Sequence, residues 1–221
     1  MFRKALRLKP DYPDARNDLG NAFYDNGQYD EAIAEYNDAL KLRPDFAEAH
    51  NNLGLAYYRK HRYADALAEF QKALEFKTDY VEAHFGLAIT LDRTGEYGKA
   101  AGEYKKLRAA DPKSPDYNNG LGYTLAECGR FDEALPYIQE SLKQKPGDPY
   151  TLDSLGFVFA GKKQFKKAIS KYREALRKEP DEGTIHYHLA QALEELGRKA
   201  EASREFQLAH QLDSGLPPRE E

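Results

Sequence analysis

Tryptophan is absent from this 221-residue chain, and cysteine and methionine occur once each. A lone cysteine, Cys128, excludes an intramolecular disulfide framework and any zinc site built from several cysteines, and it leaves the redox compartment open. Long apolar runs are missing as well. The longest stretch without a strongly polar side chain, residues 155–161, falls far short of the roughly 20 residues that a membrane-crossing helix needs. Positive charge is not in excess: 33 Lys and Arg against 37 Asp and Glu leave a net charge of −4. With an isoelectric point near 5.9, the chain is not basic enough to grip nucleic acid along its whole length, which argues against a nucleic-acid partner. Phosphate-loop signatures are lacking too. Neither a P-loop nor a strand followed by G-x-G-x-x-G occurs, so no glycine-rich loop is spaced to surround a nucleotide.

What the sequence does have is a period. Leu19 followed by Gly20 returns as Leu53-Gly54, Leu87-Ala88, Leu121-Gly122, Leu155-Gly156 and Leu189-Ala190, each step 34 residues with no insertion. A second column of alanines, Ala32, Ala66, Ala100, Ala134, Ala168 and Ala202, keeps the same step, as do the large residues Tyr36, Phe70, Tyr104, Ile138, Tyr172 and Phe206. Small residues in register with large ones predict close packing across a helix pair. Within one period the apolar spacing is helical, and Gly27, Gly95, Gly129 and Gly197 end the first helix of their units with the positive φ that a left-handed cap requires. His61 and Lys163 stand at that cap position without being glycine and are expected to cost stability there. Pro44, Pro112, Pro146 and Pro180 stop the second helix at one phase, with Thr78 and Ser214 in their place elsewhere. Pro136 falls inside a second helix and is expected to bend it.

This series of small, small, aromatic and proline positions resembles the tetratricopeptide repeat, a 34-residue helix-turn-helix unit. The resemblance implies an all-α fold, an α-solenoid in which antiparallel helix-turn-helix units stack into a right-handed superhelix. Six repeats are expected, at 13–46, 47–80, 81–114, 115–148, 149–182 and 183–216. Residues 1–12 read as the end of a preceding partial repeat, and 217–221 as a tail. A single such hairpin cannot bury its own apolar face, so stability must come from stacking on neighbours. Because the chain opens in the second half of a repeat, it reads as a piece of a longer protein. A signal or anchor lost with the missing part is allowed for, and the compartment stays open with the cytoplasm favoured.

Catalytic chemistry finds little support. Cys128 has no histidine aimed at it by any pattern and reads as a small structural hydrophobe. His50, His84 and His186 share one repeat column, which reads as packing by a flat ring. His186 and His188 point about 200° apart on a helix and cannot chelate one ion. Paired carboxylates such as Glu194 and Glu195 lack a cleft that would separate their acidities. The expectation is no enzyme, no metal and no cofactor.

In the tetratricopeptide fold the first helix of each repeat lines the concave face, which the resemblance makes the place for a ligand. The candidate peptide-binding residues are Asn17, Asn21, Tyr24, Asn51, Asn52, Tyr58, Phe85, Asp116, Asn119, Tyr123 and Tyr187. Counted over all such positions, eleven acids face two arginines, Arg59 and Arg93. Asparagine pairs a donor and an acceptor with peptide backbone, and aromatic rings add rigid contact area. Acids in the first turn, Asp14, Glu48, Glu82 and Asp116, are also favoured by the helix dipole with no ligand present. The carboxylate clamp of co-chaperones is matched at Asn21 and Asn52, but Asn17, Glu82 and Gly86 replace its cations, so an acidic tail is not the expected ligand. The asparagine ladder of O-GlcNAc transferase is matched at Asn52 alone. The expected function is a non-catalytic protein interaction scaffold for a neutral to basic polypeptide. The alternatives are a recruiting arm of a larger enzyme or secretion complex, or self-association through open repeat ends. A separate basic patch comprises Lys162, Lys163, Lys166, Lys167 and Lys171, where a solvated surface competes with an acidic or anionic partner.

Overall fold

The computed structural model describes residues 12–218, so the partial repeat expected before residue 12 and the last three residues of the tail lie outside the described residues. Twelve α-helices and no strand are found among the described residues. In chain order they are α1 (Pro13–Asp25), α2 (Tyr29–Leu42), α3 (Ala47–Arg59), α4 (Tyr63–Phe76), α5 (Val81–Arg93), α6 (Tyr97–Ala110), α7 (Pro115–Glu127), α8 (Phe131–Gln144), α9 (Pro149–Gly161), α10 (Phe165–Leu176), α11 (Gly183–Glu195) and α12 (Lys199–Leu212). The odd-numbered helices are the first of each repeat and the even-numbered the second. The chain forms two compact units, Met1–Leu107 and Arg108–Glu221.

In the first unit, α1 packs on α2 and α3 on α4, the second helices α2 and α4 pack on the first helices that follow them, and α1, α3 and α5 touch in succession. Its core runs through Ala32, Tyr36, Leu53 and Ala56 and then Ala66, Phe70, Leu87, Leu91 and Ala100. In the second unit α7 to α12 repeat that arrangement, with a core that includes Leu152, Tyr172, Leu189, Leu193 and Phe206. Both units are α-solenoid arrays of antiparallel helix pairs.

The expected meeting of small and large columns is present in each unit. A Cβ built on Gly20 would stand 2.5 Å from the Tyr36 ring, and one on Gly156 would stand 2.4 Å from the Tyr172 ring. Only hydrogen at these positions lets the helices approach so closely.

First helices end as the sequence predicts. Gly27 has φ +73°, and its N–H donates to the Tyr24 carbonyl at 2.9 Å while Gln28 donates to Phe23 at 2.9 Å. His61 and Lys163 adopt the same left-handed geometry, at φ 57° and 59°. Helix starts are less uniform. α7 and α9 open with proline and are capped by Ser114 and Asp148, whose side chains accept from Tyr117 and Thr151, whereas α1 opens with proline and no side-chain cap. Pro136 is carried inside α8, which continues to Gln144.

Cys128 departs from its expected role. It is exposed, just after the last turn of α7, because the first helix ends there and its cap position faces solvent. The His50, His84 and His186 rings also do more than pack. Each Nδ1 lies 2.6 Å from a glutamate on the second helix of its own repeat, Glu69, Glu103 and Glu205 respectively. Each Nε2 faces a backbone carbonyl at the close of the preceding repeat, Pro44, Thr78 and Pro180, at 2.8 to 3.0 Å.

Candidate functional site

The first helices of the first unit carry a hydrogen-bonded asparagine cluster. The Asn52 amide on α3 donates to Asn17 and to Asn21 on α1, both at 3.0 Å. Tyr36 on α2 donates its hydroxyl to Asn21 at 2.8 Å, and Asn51 donates to Asn52 at 3.3 Å. Asn17 and Asn51 are only 2% and 3% exposed, while Asn21 and Asn52 are half-buried. The asparagines that sequence marks for ligand contact therefore spend hydrogen-bonding capacity between repeats. One acceptor is left over: Asn51 Oδ1 is buried without a partner, a costly state for an amide.

Further along the same helices lies a tyrosine and arginine series. Arg59 Nε donates to the Tyr24 hydroxyl at 3.1 Å, and one repeat on Arg93 Nε approaches the Tyr58 hydroxyl at 3.4 Å. Tyr24 rests edge-on against Tyr29 at 5.3 Å, and Tyr58 lies tilted against Tyr63 at 5.6 Å. Phe85 meets Tyr104 edge-on at 6.4 Å.

Charge on these helices is unbalanced. Asp18, Asp25, Glu48 and Glu82 are exposed and make no ion pair among the described residues. Asp14 differs, being held by both terminal nitrogens of Arg43, which keeps its carboxyl below the usual range. On the second helices several carboxylates are met by cations three residues away, as in Glu69 with Lys72, Glu103 with Lys106 and Glu140 with Lys143. Burial, with Glu48 and Glu82 adding to it, pushes the Tyr80 phenol up to about 12.

The second unit presents a different face. Tyr123, whose hydroxyl donates to Glu127, lies 5.7 Å from Phe157, and Phe157 lies 5.5 Å from His188, giving one aromatic series across α7, α9 and α11. His188 Nδ1 lies 2.9 and 3.1 Å from the two oxygens of Asp153. Burial alone would lower the His188 value, but the Asp153 charge and its hydrogen bond, with Glu127 beyond, raise it on balance. Asp116 is exposed, and Asn119 keeps a buried amide oxygen without a partner. Tyr187, at 9% exposure, belongs to the core and packs edge-on against Phe206 at 5.4 Å.

Asp153, Phe157 and His188 lie on first helices but were not among the candidate binding residues chosen from sequence. For Asp153 and His188 the signal was a separation of 35, one period plus one residue, which also joins Tyr24 to Arg59, Tyr58 to Arg93 and Asn17 to Asn52. Side chains one step out of register across the repeat reach each other because neighbouring first helices lie side by side.

Family models described as TPR repeat match residues 2–27 and 20–61, and models described as tetratricopeptide repeat match 47–80, 85–149 and 159–213. The chain belongs to the tetratricopeptide repeat family. Among solved structures it is similar to YrrB, described as a TPR protein with an unusual peptide-binding site, at 24% identity and a TM-score of 0.68, over 81% of this chain and 93% of that one. A tetratricopeptide repeat protein from Parabacteroides merdae gives 15% identity and a TM-score of 0.74, over 93% of this chain and 80% of that one. The Cut9-Hcn1 hetero-tetramer of the APC/C gives 20% identity and a TM-score of 0.76, over 97% of this chain and 43% of the other. Comparison with curated proteins gives no match. Tetratricopeptide proteins bind peptides or proteins and generally serve as non-catalytic scaffolds. No described helix is long and apolar enough to cross a membrane, and among the described residues no group of His, Cys, Asp and Glu is arranged to hold a metal.

The expected basic patch is divided by its contacts. Lys162 pairs with Asp132, Lys171 with Glu174 at 2.7 Å, and the Lys167 ammonium sits 5.5 Å from the Phe159 ring centre. Lys163 occupies the left-handed turn position, and Lys166 lies at a cleft beside α10.

Proposed function

We propose that this tetratricopeptide protein is a non-catalytic scaffold whose first-helix face holds an extended or helical polypeptide segment of neutral to basic character. The observation that carries this is the set of exposed carboxylates, Asp18, Asp25, Glu48 and Glu82, left without ion pairs on first helices while several second-helix carboxylates are matched locally. Unmatched charge of one sign attracts a ligand of the other and repels its own. Beside the carboxylates, Tyr24 and Tyr58 are held in place by Arg59 and Arg93. Rings fixed before a ligand arrives lose little entropy when it does. The asparagine cluster of Asn17, Asn21, Asn51 and Asn52 braces that face through its mutual hydrogen bonds and leaves the half-buried Asn21 amide nitrogen for backbone contact, with Phe85 adding apolar surface. Within the second unit Asp116, Asn119 and Tyr123 offer the same kinds of group on first helices, and Tyr187 supports them from the core.

A random peptide library panned against the whole chain tests this reading. Enriched sequences are expected to carry net positive charge and aromatic residues, and the combined Asp18→Asn, Glu48→Gln and Glu82→Gln variant is expected to lose the charge preference. Enrichment of acidic sequences, or an unchanged preference in the variant, would overturn it.

A further inference from the structure

A second recess lies away from the first-helix face. It is a cleft of about 280 Å³ between α10 and the turn that leads into α12, entirely within the second unit. Ile169 and Leu196 contribute apolar surface and Ser170 a hydroxyl, and Lys166, Arg173, Arg177 and Arg198 bring four cations to the same cavity. The carboxylate tied to this group is Glu201, which Arg173 reaches at 3.0 Å and Arg198 at 2.6 and 2.7 Å. Those hydrogen bonds, Arg198 first, hold the Glu201 carboxyl below its usual value. Lys166 and Arg177 have no ion-pair partner among the described residues.

This is a local exception. Second helices match cation to carboxylate at a three-residue spacing, as Lys171 does with Glu174 and Arg198 with Glu201, and here Lys166, Arg173 and Arg177 are added to those pairs. Around the cleft four cations face a single carboxylate, so the like charges repel one another until an anion enters. Arg198 commits Nε and one terminal nitrogen to Glu201, and Arg173 commits one terminal nitrogen, so each guanidinium retains N–H groups for another acceptor.

We propose that this cleft binds a phosphoryl group borne on a phosphorylated side chain of a partner polypeptide, a site independent of the first-helix face. A phosphomonoester brings about −1.5 to −2 charges and three acceptor oxygens, which suits guanidinium forks, an ammonium and a hydroxyl arranged around one cavity. The recess, with apolar surface beside the cations, fits a phosphate on a protruding stem; a flat anionic surface would need the cations in one exposed plane.

The test is fluorescence anisotropy of the full chain with a short neutral peptide carrying one phosphoserine, beside the same peptide unphosphorylated. The phosphopeptide is expected to bind at least tenfold more tightly. Lys166→Gln with Arg177→Gln is expected to weaken it roughly tenfold through lost charge-assisted hydrogen bonds. Glu201→Gln is expected to tighten it several-fold by removing the competing carboxylate, a gain that a purely structural role for Glu201 would not give. Lys163→Gln, in the turn before α10, is the control and is expected to leave binding unchanged. Equal affinity for the two peptides overturns the proposal, as does an unchanged affinity in the Lys166 and Arg177 variant. Binding to anionic phospholipid vesicles without binding to the phosphopeptide also overturns it, in favour of a membrane ligand.

Discussion

Nδ1 of His50 lies 2.6 Å from Oε2 of Glu69, and the other nitrogen of that ring lies 2.9 Å from the Pro44 carbonyl. One imidazole thus ties the first helix of a repeat to its own second helix and to the exit of the repeat before it. His84 and His186 repeat the arrangement. In the fourth repeat Asn118 takes over the carbonyl contact, donating to Pro112 at 2.9 Å. His50→Ala leaves the buried Glu69 carboxylate with Lys72 alone and removes the partner of the Pro44 carbonyl, so it is expected to cost about 2 kcal/mol, while Glu69→Gln keeps a polar partner and costs about 1 kcal/mol. Urea unfolding of the two variants checks the order; equal losses would contradict it.

The pH response of two groups runs in opposite directions. Burial works against the charged form of Glu69, but hydrogen bonds from His50 and Lys72 outweigh it and hold the carboxyl below its usual value. A lowered acid contributes stability that is present above its unfolded value and is lost as pH falls through the folded one. His188 is raised, so its contribution is full below the unfolded histidine value and is lost as pH rises through the folded one. Titration of the His188 ring by NMR is expected to give a midpoint above the ordinary histidine value. In Asp153→Asn the midpoint is expected to fall, because burial then acts with less opposition.

Two glycine substitutions should have opposite signs. Gly156→Ala drives a methyl to 2.4 Å from the Tyr172 ring and is expected to cost about 1 to 3 kcal/mol. Gly102→Ala, on an exposed side of α6 with no atom within 4 Å of the new carbon, is expected to stabilise by about 1 kcal/mol. Thermal unfolding reads both; the same direction for the two would refute the packing argument.

Lys163 holds φ 59° in the turn between α9 and α10, where four other repeats place glycine and the second places His61. Lys163→Gly relieves the left-handed conformation and is expected to stabilise by about 1 kcal/mol, read in the same unfolding experiment. No gain would mean that the lysine side chain makes a compensating contact.

The helices were legible in sequence because their determinants repeat. Gly20 beneath Tyr36, the left-handed caps at Gly27 and Gly95, and the stops near Pro44 and Pro112 each recur every 34 residues, so one unit could be read against the others. Side-chain pairing was less visible. The histidine column looked like packing because its partners, Glu69 and the Pro44 carbonyl, come from two other segments of the chain. The aromatic series from Tyr123 to His188 was hidden for a related reason: Tyr123 and Phe157 share a column, but the step from Phe157 to His188 leaves it, and a column-by-column reading separates them. Cys128 shows a third limit, since its exposure depends on where the last turn of α7 ends. The cation cleft beside α10 draws on the fifth and sixth repeats together, and a reading confined to one repeat saw its lysines without Arg198.

The central claim, that the first-helix face holds a basic or neutral polypeptide, is tested most directly by amide chemical-shift mapping of the whole chain with a basic peptide taken from the library. The account predicts shifts concentrated on α1, α3 and α5 around Asp18, Tyr24, Glu48 and Tyr58, reduced when Glu48 and Glu82 become glutamine. Shifts confined to second helices, with those first-helix amides unmoved, would contradict it.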